Sequence, residues 1–133
     1  MKVDKYLKHM FVVMSSYRND TFLCDTVLTT DDRDLYAHSV ILAAASSAFK
    51  TAFAKIGASR SRCRYAVQLT GFKSSTVEVA LRFMYTGHLQ VPQTYAHPNE
   101  LSHLLSSLEQ LGLDLQLLNG CPMSFIRSEL ISF

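Results

Sequence analysis

Residues 40–45 read Val-Ile-Leu-Ala-Ala-Ala, an apolar run with no polar face to offer to water. What flanks it narrows the choice of fold. Upstream, Cys24-Asp25-Thr26-Val27-Leu28-Thr29-Thr30 and Leu35-Tyr36-Ala37 are separated by the polar stretch Asp31-Asp32-Arg33-Asp34. Short β-branched runs around a polar turn predict a hairpin. Downstream, Ser47 is placed to cap a helix that carries Phe49, Ala52 and Phe53 on one face. The chain thus changes from strand period to helix period at His38. The apolar run reads as a short helix too greasy for any exposed position, which excludes all-helical and all-strand folds.

The rest of the chain continues this mixture. Tyr65-Ala66-Val67-Gln68-Leu69 reads as a short strand after a polar loop from Lys55 to Arg64. Ser75-Thr76-Val77-Glu78 fits a capping box, in which serine and glutamate satisfy each other's backbone donors. The helix it opens carries Val77, Ala80, Leu81 and Met84 and stops at Gly87. Leu89-Gln90-Val91 reads as an edge strand ended by Pro92. Pro98 opens a helix with Leu101, Leu104, Leu105, Leu108 and Leu111 on one stripe, closed by Gly112, and Leu113 to Leu118 reads as a last short helix. The expected class is α+β, a small β-sheet flanked by a cluster of helices. One domain is expected over residues 1–120, with 121–133 as a tail or helix extension.

The segment Asp4–Arg18 has Leu7, Met10, Phe11 and Met14 at helical spacing, yet Tyr6, Val12, Val13 and Tyr17 are apolar too. A helix apolar over most of its girth is buried on several sides. At this position the expected cover is a second subunit, with Leu7, Met10, Phe11 and Met14 in the dimer interface. Composition agrees. Of 133 residues, 48% are hydrophobic and only 18% charged, below the roughly 25% charged of an average domain.

Several functions are disfavoured. A formal charge of +2 is too small to expect nucleic-acid binding. Arg60-Ser61-Arg62-Cys63-Arg64 is a basic cluster without interleaved aromatics and reads as a solvated loop. Cysteines at 24, 63 and 121 form no C-x-x-C pair, so neither a metal nor a cofactor is expected, and a reducing compartment is favoured. The N-terminal segment is interrupted by Lys8 and His9, and no apolar run is long enough to span a membrane. The expected location is cytoplasmic or nuclear. Asp25, His38 and Ser39 hold the atoms of a catalytic triad. However, Ser39 adjoins His38 and no G-x-S-x-G elbow presents a nucleophile, so the chain is not expected to be an enzyme.

Three segments occur in an order that resembles the BTB/POZ domain: Cys24-Asp25-Thr26-Val27-Leu28, then Ala37-His38-Ser39-Val40-Ile41-Leu42-Ala43-Ala44-Ala45-Ser46-Ser47-Ala48-Phe49, then Phe83-Met84-Tyr85-Thr86-Gly87. The resemblance covers about residues 4 to 120. It implies a protein-interaction module that forms homodimers through its N-terminal helix. Kelch-type members recruit a cullin scaffold for ubiquitin transfer, and zinc-finger members recruit corepressors; Ala43-Ala44-Ala45-Ser46 looks more like the kelch type. Carried over residue by residue, the cullin-contact region would be Phe53, Ile56 and Ala58, with alanine where kelch-type members have an acid. The charged pocket of the zinc-finger type would lie at Asp25 and Ser39, with serine where those members have a basic residue. Asp25 then needs another partner, a backbone group or Ser39 itself. His38 is expected to cap backbone groups with its ring, and Tyr85 to pack beneath the Gly87 turn.

Overall fold

The computed structural model describes residues 2–57, 63–93, 97–113 and 123–126. The chain opens with helix α1 (Lys2–Ser16), followed by two 3-10 turns. Strands β1 (Thr26–Thr29) and β2 (Asp34–Ala37) form the expected hairpin, antiparallel with Val27 opposite Tyr36 and Leu28 opposite Leu35. Helices α2 (Ser39–Ala45) and α3 (Ser47–Ile56) come next, then β3 (Tyr65–Gln68), which joins β1 on its other side in parallel. The sheet order is β2-β1-β3. Helix α4 (Ser74–Thr86), strand β4 (Leu89–Pro92) and helix α5 (Pro98–Gln110) follow. Small sheet and helical majority make this an α+β fold.

The core lies where one sheet face meets the helices. Leu28, Leu35, Ala37 and Val67 supply the sheet side. Leu42, Phe49, Phe53, Val77, Ala80, Leu81, Met84, Leu104 and Leu108 supply the helix side, and Leu111 closes the end. The stripes expected on α4 and α5 are therefore the buried ones. Gly87 ends α4 with φ 72°, a left-handed conformation in which a side chain would be strained. No helix of the described residues is long and apolar enough to cross a membrane.

Four local expectations change in the structure. The run at 40–45 is not wholly inside. Helix α2 packs mainly against α3 and α4, so Leu42 is fully buried while Val40 is 73% exposed. Ser46 rather than Ser47 caps α3, its Oγ accepting the Phe49 N–H. It reaches farther too, donating to the Leu111 carbonyl at 2.9 Å and tying α3 to the end of α5. The capping box at Ser75 and Glu78 does not form. Helix α4 starts at Ser74, and Asp32 caps it instead, accepting from the Ser74 N–H at 2.7 Å and the Ser74 hydroxyl at 2.6 Å.

The fourth change is at the C-terminal end. Residues 123–126, read as tail or helix extension, form strand β5 (Met123–Ile126) parallel to β4, with Leu89 beside Met123 and Val91 beside Phe125. Leu89 and Val91 are buried, so the β4 backbone lies away from water and its polar groups need a ladder. Of the last helix expected at Leu113 to Leu118, residues 114–118 lie outside the described residues.

Candidate functional site

The hairpin and helices α2 and α4 converge on one polar cluster. Asp25 lies just before β1, and His38-Ser39 join β2 to α2. One Asp25 oxygen accepts the Ser39 N–H at 2.7 Å and the Thr26 hydroxyl at 3.0 Å, and the other accepts the Ser39 hydroxyl at 2.5 Å. The carboxylate thus sits at the amino end of α2, where the free N–H groups favour negative charge. Burial pushes the Asp25 carboxyl up, but the Ser39 and Thr26 hydrogen bonds outweigh it and hold it below its ordinary value. Asp32 repeats the device at the other end of β1, on α4, its carboxyl lowered chiefly by the Ser74 hydroxyl and N–H. Both serines are the first residue of their helix, and each aspartate flanks the central strand.

His38 does not cap a backbone group with its ring. The Tyr85 hydroxyl accepts the His38 backbone N–H at 3.0 Å and lies 2.5 Å from Nδ1. The other ring nitrogen, Nε2, lies 3.9 Å from the Cys24 sulfur. Burial lowers the His38 imidazole and lifts the Tyr85 hydroxyl to about 12. Both are neutral, with Tyr85 buried as a bridge from α4 to the β2–α2 corner. Ser39 and His38 do not form the nucleophile–base pair of a triad, because the Ser39 hydroxyl donates to Asp25.

The cation of the region belongs to another acid. Arg18, just after α1, forms an ion pair with Glu78 of α4 at 2.5 Å, with side chains only 10% and 9% exposed. Its Nε donates to the Tyr36 carbonyl at 3.2 Å, and its guanidinium lies 5.8 Å from the Tyr85 ring centroid. Arg82 approaches the same carboxylate at 3.9 Å. Arg18, Glu78 and Arg82 line a pocket of about 290 Å³ between α1 and α4, together with Val12. Sequence reading missed this pair. Arg18 was the polar end of a helix and Glu78 a capping residue, and the sign available was a glutamate one position from the apolar stripe of α4.

The other candidate residues fall on two surfaces. Leu7, Met10 and Phe11 are exposed on α1, at 47%, 38% and 38%, and Met14 is half-buried. Of the cullin-contact positions, Ile56 is 49% exposed at the end of α3. Phe53 is a core residue, between Phe49 at 6.0 Å and Tyr65 at 4.8 Å between ring centroids. It lies on the α3 face turned to β3, so its ring is closed to a partner. Ala58 lies outside the described residues.

Removing the Asp25 carboxylate should destabilise the fold. Asp25→Ala leaves the Ser39 and Thr26 donors without their acceptor and should cost about 1–3 kcal/mol. Asp25→Asn keeps one acceptor oxygen and should cost less. Thermal melts of both variants check the ordering, and an alanine variant as stable as the parent would contradict it.

Acid should act in two stages. A lowered imidazole means that unfolded His38, near 6.5, takes up a proton the folded form resists. Its contribution is complete above about pH 6.5 and declines below it. The lowered Asp25 carboxyl contributes above the unfolded value of about 3.9, and that contribution is lost as pH falls through the folded one. Melting temperature against pH should show both declines, and His38→Gln should remove the first.

Comparison with known proteins agrees with this architecture. The family model of the BTB/POZ domain matches residues 14–121. Mouse Kelch-like protein 7 is 31% identical over 111 residues, covering 83% of this chain and 18% of that protein. Human Kelch-like protein 2 is 29% identical over 89 residues, covering 66% of this chain and 14% of that protein. The chain therefore spans less than a fifth of the length of these relatives. The solved BTB domain of zebrafish PATZ1 superposes with a TM-score of 0.56 at 20% identity, covering 81% of this chain and 92% of that one, a likeness of fold. With the model match spanning most of its length, the chain belongs to the BTB/POZ domain family of protein-interaction domains.

Proposed function

We propose that this domain acts without catalysis, as a homodimerising module that recruits a partner for a larger protein. The observation that carries the reading is the solvent face of α1, where Tyr6, Leu7, Met10 and Phe11 stand exposed together on one helix. A row of large apolar side chains on a short helix marks an interaction surface. A second copy fits best, because the same row on both partners makes a self-complementary two-fold contact. Light scattering on the purified domain tests this. The expected mass is twice the 14.9 kDa of one chain, and a monomer at every concentration up to the solubility limit would overturn it.

Recruitment of a cullin scaffold, as part of a ubiquitin-ligase adaptor in the cytoplasm or nucleus, is the finer proposal. Its support is the similarity to Kelch-like proteins and the exposed Ile56 at the end of α3. Corepressor recruitment for a zinc-finger regulator is the second reading, favoured by the fold likeness to the PATZ1 domain. Asp25 speaks against the charged-pocket version, since its oxygens are occupied by Ser39 and Thr26. Calorimetry against a cullin N-terminal domain separates the two. Binding weakened roughly tenfold or more by Ile56→Asp, equivalent to about 1.4 kcal/mol, supports the cullin reading. No binding, or binding indifferent to Ile56, argues against it.

A further inference from the structure

Strand β4 stands apart from the three-stranded sheet. Among the described residues it pairs with β5 alone, in a separate two-stranded sheet. Leu89 and Val91 are buried and β4 packs on α4, so the strand is fixed in place and cannot turn to hide its backbone. The row of N–H and C=O groups that β5 takes up would otherwise lie open. An open strand edge is a template for another chain, and charged side chains, proline or a bulge are what blunt it. Leu89-Gln90-Val91-Pro92 holds no charge, and its proline stands at the last position. Two such edges related by a two-fold axis meet without repulsion and pair antiparallel. That ladder is slightly more stable per residue than the parallel one with β5. Strand β5 holds the edge because it belongs to the same chain, which sets its local concentration above that of a separate molecule.

We propose that strand 123–126 is a guard on the β4 edge, and that the occupant it keeps out is β4 of a second copy of this chain. While the guard is in place, its ladder satisfies the backbone groups that the second copy would take. When it is displaced, the open edges join two copies through backbone hydrogen bonds, with Leu89 and Val91 still packed in their own domains. The contact is made by β4 backbone and not by α1 side chains. It therefore goes beyond the pairing proposed for α1 and does not depend on it.

The test opens the edge in the full chain. Ser124→Pro with Phe125→Pro removes two successive backbone donors, one of which faces β4 whichever way the strand is turned. Met123→Asp with Phe125→Asp, beside Leu89 and Val91 in the ladder, opens the same edge without proline. Each pair is made in the parent and in the Met10→Asp, Phe11→Asp chain, so that association through α1 is held apart. Sedimentation velocity should find each opened chain at no less than twice the mass of the chain it was made from, and circular dichroism should show the helices retained. A peptide of residues 119–133 with Cys121→Ser, added in excess, should restore the starting mass, and a scrambled peptide should not. Gln90→Glu should restore it too. It keeps an acceptor for Arg82 Nη1, 3.4 Å away, and sets like charges across two paired edges. Opened chains that keep the starting mass, or an increase that survives the peptide or Gln90→Glu, would overturn the proposal.

Discussion

The double variant Met10→Asp, Phe11→Asp is expected to convert a dimer into a folded monomer. Both side chains are 38% exposed on the single chain, so aspartate is readily solvated there while the protomer stands alone. In a two-fold contact each protomer brings its own copy, and the interface would hold four carboxylates without partners. Burying an apolar side chain contributes about 1.5–3 kcal/mol, set against an association cost of about 4–15 kcal/mol. Losing four such contributions and desolvating the acids should remove well over 4 kcal/mol, or at least a thousandfold in affinity. Sedimentation velocity of parent and variant reads this directly, and circular dichroism confirms that α1 is retained. A variant that sediments as the parent does would place the interface elsewhere.

Glu78→Ala should be among the most destabilising substitutions in the domain. Its carboxylate is the counter-charge of Arg18 and lies near Arg82, in a setting that is about nine-tenths buried. Removing one partner of a buried pair leaves an uncompensated charge and costs about 3–5 kcal/mol. For a chain of this size that lowers the melting temperature by roughly 10 °C or more. Glu78→Gln keeps acceptor oxygen for Arg18 and should lose less. A double-mutant cycle isolates the pair. Arg18→Leu with Glu78→Leu should cost clearly less than the sum of the single changes, because the double variant buries no orphaned charge. Additive costs would show that the two side chains act independently.

The predictions bear on different layers of the molecule. The α1 variants test an outer face and leave the core alone, whereas Glu78 tests the joint between α1 and α4. If Glu78→Ala also weakens dimerisation, the cause lies in how Arg18 and Glu78 hold α1 against α4.

Local pattern alone determined much of the fold. The β1–β2 hairpin, the α4 stripe, the stop at Gly87 and the leucine face of α5 each depend on residues a few positions apart, where sequence spacing is also spatial spacing. The polar cluster was legible only in part. That Asp25 needs a neutral partner, Ser39 among them, followed from the missing basic residue. Its geometry did not, since the two are fourteen positions apart. What only the tertiary structure decided are the joins between elements distant in sequence. Ser75-x-x-Glu78 has the residues of a capping box, yet Asp32, forty-two positions before Ser74, supplies the cap. That leaves Glu78 for Arg18, sixty positions away. Val40 and Leu42 belong to one apolar run, and packing sends one to solvent and the other to the core. Periodicity reports which residues share a face of an element, but which face is covered, and which polar groups meet across the gap, depends on the neighbours the whole fold brings there.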